Sequence, residues 1–88
     1  MHGGIVSTVL DEAMSQAVVS RRWQALTCEL RVRLRRHVAA GSAFSVRAWV
    51  VEKRKRRILT EAVLLEGNAE AAHAWGTFLE LAQPDGRS

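Results

Sequence analysis

Apolar positions change their period once along this chain. Ile5, Val6, Val9, Leu10, Ala13, Met14, Ala17 and Val18 recur at the i, i+1, i+4, i+5 spacing of one helical face, in a segment free of proline. Gly3-Gly4 opens that segment and Ser20-Arg21-Arg22 closes it, the arginines suiting the negative end of a helix dipole. Alanine and valine also occupy flanking positions, so the helix is expected to be largely buried, against a sheet.

Beyond it the period becomes two. Leu26, Cys28, Leu30, Val32 and Leu34 alternate with Thr27, Glu29, Arg31, Arg33 and Arg35, which predicts a strand with Thr27 and the arginines on its polar face. A loop through 37–42 follows, then strands over Phe44 to Val51 and Ile58 to Leu65. The charged residues 52–57 between them read either as a hairpin connection or as the extended ends of both strands. Gly67-Asn68 signals a turn before a fourth strand, roughly Ala71 to Leu81. The expectation is one domain over 1–82, a helix followed by an antiparallel meander in chain order, with 83–88 as a flexible tail. Four strands on one helix leave both sheet edges free and expose Trp49, Trp75 and the arginine-bearing face. A homodimer continuing the sheet across an edge is therefore expected, with a tetramer open.

Composition narrows the class. The 88 residues are 48% hydrophobic and 25% charged with one proline, which excludes a disordered chain and a second core. Apolar runs of only a few residues exclude a membrane-spanning helix. No basic stretch followed by an apolar one opens the chain, so a cytoplasmic protein is expected. A lone Cys28 excludes a disulfide framework and a cysteine-rich metal site. The charge is uneven. Residues 21–57 hold twelve Lys/Arg against Glu29 and Glu52, whereas 1–20 and 58–88 are net acidic. An anionic partner and a solvated sheet flank both fit that middle segment.

The helix-opening run His2-Gly3-Gly4 with Asp11 further along the same helix resembles the signature of hotdog-fold thioesterases of the PaaI-like, phenylacetate-pathway group. Leu26 to Leu34, the Trp49-to-Ala62 hairpin and the Ala72-to-Phe78 strand are similar to the family too. The likeness thus spans nearly the whole chain. It implies an α+β hotdog, one long helix wrapped by an antiparallel sheet, acting as a dimer on acyl-CoA or aryl-CoA. Against the family the chain reads as N-terminally shortened, since an additional strand usually precedes His-Gly-Gly.

The resemblance assigns roles that elementary chemistry supports. A helix start offers backbone N–H groups and partial positive charge where a thioester oxygen gains charge, and glycine lets substrate approach closely. Gly3 would polarise the carbonyl, with Gly4 lining the site and His2 helping to shape it. Asp11 would be general base or nucleophile, with Glu12 as the fallback acid and Thr27 orienting water. At ~1.5 Å rise per residue, Asp11 lies roughly 13 Å beyond His2, so the two serve one thioester only across a dimer. Arg54, Lys55, Arg56 and Arg57 suit the phosphates of coenzyme A. No cofactor is implied, coenzyme A being part of the substrate. His37 and His73 lack a metal-ligand partner at useful spacing and read as structural. Two other classes compete: a non-catalytic acyl-CoA-binding or dimerisation domain, and, least favoured, nucleic-acid binding through 21–57. In that segment only Trp23, Phe44 and Trp49 are aromatic, few for base stacking.

Overall fold

The structure, a computed structural model, describes residues 3–36 and 43–81. His2, the loop with His37, and the expected tail lie outside the described residues. Helix α1 (Gly3–Val19) precedes strands β1 (Ala25–Leu34), β2 (Ser45–Arg54), β3 (Arg57–Glu66) and β4 (Ala69–Glu80).

Helix α1 buries a single stripe, Val6, Leu10, Met14 and Val18, each four residues from the next. The expected burial around most of the helix is corrected. Ile5 and Val19 are 54% and 58% exposed, and Val9, Ala13 and Ala17 are only half-buried. One sheet covers one side of a helix, and the remaining apolar face is left open. Past Val19 the chain leaves the helix through Arg22, whose φ of 65° is left-handed.

The sheet is antiparallel with strand order β1-β4-β3-β2. This corrects the meander in chain order. Strands β2, β3 and β4 do form one, because tight turns at Lys55-Arg56 and Gly67-Asn68 hold them adjacent, with Lys55 and Gly67 at φ of 56° and 63°. Residues 35–44 are long enough to carry the chain from one edge of the sheet to the other, so β1 pairs with β4 instead of β2. The charged 52–57 segment is mostly strand: β2 runs on to Arg54, and Arg54 pairs with Arg57.

Against the helix lie four cross-strand pairs, Leu64–Ala72, Ala62–Ala74, Thr60–Gly76 and Ile58–Phe78. Burying a large apolar side chain of this kind contributes ~1.5–3 kcal/mol relative to exposure. The small residues on β4 let the helix settle close, most tightly at Gly76. Thr60, the buried polar residue of this layer, donates its hydroxyl to the Gly76 carbonyl at 3.0 Å.

Two bulges break the period of two. One inserts Cys28 into β1 between Thr27 and Glu29, the other Val51 into β2 between Val50 and Glu52. Each swaps the faces of the residues beyond it. Lys53 thereby comes to the helix side, where its ammonium sits 5.1 Å from the Trp23 ring centroid and 3.0 Å from Glu80. Thr27 changes face in the same way.

Candidate functional site

Asp11 sits one residue past the buried Leu10 on the flank of α1, half-buried. In a strict alternation Thr27 would share the outer face with Arg31 and Arg33. The Cys28 bulge instead places Thr27 opposite the buried Phe78, on the helix side. The expectation of Thr27 on the polar face is thereby corrected. Its hydroxyl donates to Asp11 Oδ1 at 3.4 Å, across 16 residues of sequence. Both belong to the side of the sheet bounded by β1, an edge strand.

Glu12 points elsewhere. It is exposed and accepts a hydrogen bond from Gln16 Nε2 at 3.2 Å, one helical turn on. The helix begins at Gly3 with no acidic side chain in its first turn, so no carboxylate of this helix competes for the positive end of the dipole. Thr8 closes that turn by donating to the Gly4 carbonyl at 2.9 Å. At ~1.5 Å per residue, Gly3 and Asp11 lie about 12 Å apart along the axis. The structure therefore brings Asp11 and Thr27 together and keeps the helix start of the same chain away from them.

The basic turn lies at the same end of the sheet as Thr27, since Lys53, Ile58, Phe78 and Thr27 form one row across the four strands. Arg54 pairs with Glu52 at 3.5 Å, and Arg56 donates to the Glu80 carbonyl at 2.9 Å. Lys55 and Arg57 are exposed and make no ion pair among the described residues. Among these residues no group of three or more His, Cys, Asp or Glu is placed to hold a metal ion. Among the described residues no helix is long and apolar enough to cross a membrane.

On the opposite face of the sheet, alternation from β2, β3 and β4 collects side chains that lie far apart in sequence. His73 stands between two carboxylates, with Nε2 3.0 Å from Glu61 and Nδ1 3.4 Å from Glu70. It stacks on Trp75 at 4.5 Å and meets Trp49 edge-on at 6.4 Å. Arg35 donates to Glu70 at 2.6 Å. Desolvation pushes the Glu70 carboxyl up, but hydrogen bonds and charge from His73 and Arg35 outweigh it and hold the group below its ordinary 4.5. A depressed carboxyl stabilises the fold above its unfolded value, and that contribution is lost as pH falls through the folded one. Arg35→Gln is accordingly expected to raise the Glu70 titration, read by carboxyl NMR, and to reduce acid resistance below about pH 4.5. An unchanged Glu70 titration would remove Arg35 from this account.

The chain is similar to several solved structures. BH2602 from Bacillus halodurans, solved with CoA, is 32% identical at a TM-score of 0.75, over 92% of this chain and 59% of that one. PA5202, a conserved protein from Pseudomonas aeruginosa, is 31% identical at a TM-score of 0.84, over 92% of this chain and 66% of that one. A protein described as belonging to the thioesterase superfamily is 22% identical at a TM-score of 0.75, over 90% of this chain and 61% of that one. The chain thus spans about six-tenths of the length of these proteins. No protein-family model matches it, and no curated protein does. One helix laid on a four-stranded antiparallel sheet, with these neighbours, gives the chain a hotdog fold, shared with the thioesterase-superfamily protein.

Proposed function

We propose that the chain is a cytoplasmic acyl-CoA thioesterase of the phenylacetate-pathway type, working as a homodimer whose active sites are shared between subunits. The observation that carries this reading is the Thr27–Asp11 hydrogen bond at the open β1 edge. The CoA bound to BH2602 supports the substrate class.

An edge strand with unpaired backbone groups is completed by a second copy of itself through a twofold axis. Such pairing sets the helix of one subunit beside β1 of the other. The Gly3 N–H of one chain then meets the Asp11–Thr27 pair of its partner, which the ~12 Å separation within one chain forbids. Gly3 polarises the thioester carbonyl oxygen. Asp11 takes a proton from the water that Thr27 orients, and the water oxygen bonds to the carbonyl carbon. Collapse of the tetrahedral intermediate breaks the C–S bond, and the proton passes to the departing thiolate of CoA. In the nucleophilic variant Asp11 itself bonds to the carbonyl carbon, and water then cleaves the mixed anhydride. The phosphates of CoA rest on Lys55 and Arg57 at the turn, where arginine offers paired donors to phosphate.

Sharing makes a quantitative prediction. Asp11→Asn and Gly3→Pro each remove one half of the site, proline being tolerated in the first helical turn while lacking the N–H. Mixed one to one and allowed to exchange, two inactive proteins should recover about one quarter of wild-type turnover, because half the dimers are mixed and each restores one of two sites. Thiol release from a panel of acyl- and aryl-CoA esters measures it. No recovery on mixing would put the whole site within one chain. Tight CoA-ester binding without any release would favour the second reading, a hotdog that binds acyl-CoA.

A further inference from the structure

The sheet face opposite Asp11 carries a groove of about 400 Å³ lined by Glu29, Arg31, Arg33, Trp75 and Thr77. Arg31 lies opposite Trp75 and Arg33 opposite His73, while Glu29 faces Thr77 one step toward the strand start. Along the groove the rows therefore run Glu29 with Thr77, then Arg31 level with Trp75, then Arg33 beside His73. Neither Arg31 nor Arg33 makes an ion pair or side-chain hydrogen bond among the described residues. The carboxylates of β3 and β4 on this face are otherwise engaged, Glu61 by His73 and Glu70 by His73 and Arg35, which leaves Glu29 as the acidic group of the groove itself. Trp75 is 38% exposed, with one face taken by the His73 ring.

We propose that this groove binds a nucleoside phosphate, at a site separate from the thioester site. Two arginines at i and i+2 on one strand stand ~6.6 Å apart, close enough for both to grip one phosphate. The base stacks on the free side of Trp75, which His73 fixes from behind, and stacking suits any planar aromatic ring. Glu29, one row past Arg31 and Trp75 and two rows from Arg33, accepts from an exocyclic amine. Charge complementarity runs along the groove: the anionic end of the ligand meets Arg31 and Arg33, and its N–H donors meet Glu29. The ligand is a free nucleotide rather than the nucleotide half of the substrate, because in the proposed dimer the β1 edge is closed by the partner strand. A carrier held at Asp11 cannot pass around that edge to the other face.

Titration of the full chain with AMP, followed by tryptophan fluorescence and by the NMR signal of the Trp75 indole, tests this. Saturable quenching is expected. It should be roughly ten- to a hundredfold weaker in Arg31→Gln/Arg33→Gln, a variant keeping the wild-type circular dichroism spectrum. Asp11→Asn should leave it unchanged, so failure of the thioesterase reading does not decide this one. Two results would overturn it: unchanged AMP binding in the double arginine variant, or smaller particles in sedimentation for that variant. The last would make the face a contact between copies of the chain.

Discussion

Asp11→Asn is expected to lower thioester turnover by roughly 10²–10⁴-fold, the usual contribution of a positioned acid or base, with little change in thermal stability. Asparagine keeps the size of the side chain and can still accept the Thr27 hydroxyl, which lies 3.4 Å from Oδ1. What it cannot do is take a proton or attack a carbonyl, so the loss should fall on kcat rather than KM. Glu12 is the control. Although it is the next residue, a helix turns ~100° per residue, and Glu12 is exposed and held by Gln16 at 3.2 Å. Glu12→Gln should therefore change turnover by less than about threefold, within what a surface carboxylate contributes through long-range charge. An Asp11→Asn protein within threefold of wild type would remove Asp11 from the mechanism.

The pairing of Asp11 with Thr27 also marks where sequence reasoning runs out. The helix and all four strands were legible from apolar periodicity, each to within a few residues, because burial on one face writes itself into spacing. Asp11 entered through the family resemblance, and its apolar helical neighbours only made a half-buried flank position plausible for it. The face of Thr27 was not legible. Leu26, Cys28, Leu30, Val32 and Leu34 alternate without a break, and nothing in that run announces a bulge at Cys28. The extra residue turns Leu26 outward, where it is 61% exposed, and Thr27 inward. A bulge beside a site re-aims a side chain, and its cause lies in the pairing with β4, which a reading of β1 alone does not contain. Strand order escaped for a similar reason: turn chemistry at Lys55 and Gly67 fixes neighbours, whereas a long connection such as 35–44 leaves the destination to packing. The outer face was legible only as exposed tryptophans and arginines. That His73 joins Glu61 and Glu70 there depends on the register of β3 and β4.

That same register makes Gly76→Ala the substitution with the largest expected effect on stability for its size. A methyl group at Gly76 would lie 2.9 Å from Thr60 Oγ1 and 3.1 Å from both Sδ and Cε of Met14. Methionine is adaptable, but Met14 is fully buried in the stripe that seats the helix. Thr60 is β-branched, and its hydroxyl is tied to the Gly76 carbonyl at 3.0 Å, so it has little freedom to turn away. Overpacking of this kind costs about 1–3 kcal/mol. For a domain of this size each kcal/mol corresponds to ~4–8 °C in Tm. The Thr60→Ala background isolates the cause, because it removes the nearer of the two clashes. Gly76→Ala should then cost less than half as much, a coupling that a double-mutant cycle in denaturant reads directly. An equal cost in both backgrounds would place the strain in the backbone or on Met14 alone. The helix can relieve the clash only by moving off the sheet, and Asp11 lies on that helix between Leu10 and Met14. Turnover in Gly76→Ala should therefore fall further than the loss of folded protein explains, since the contact between Asp11 and Thr27 is only as firm as the seat of the helix above Gly76.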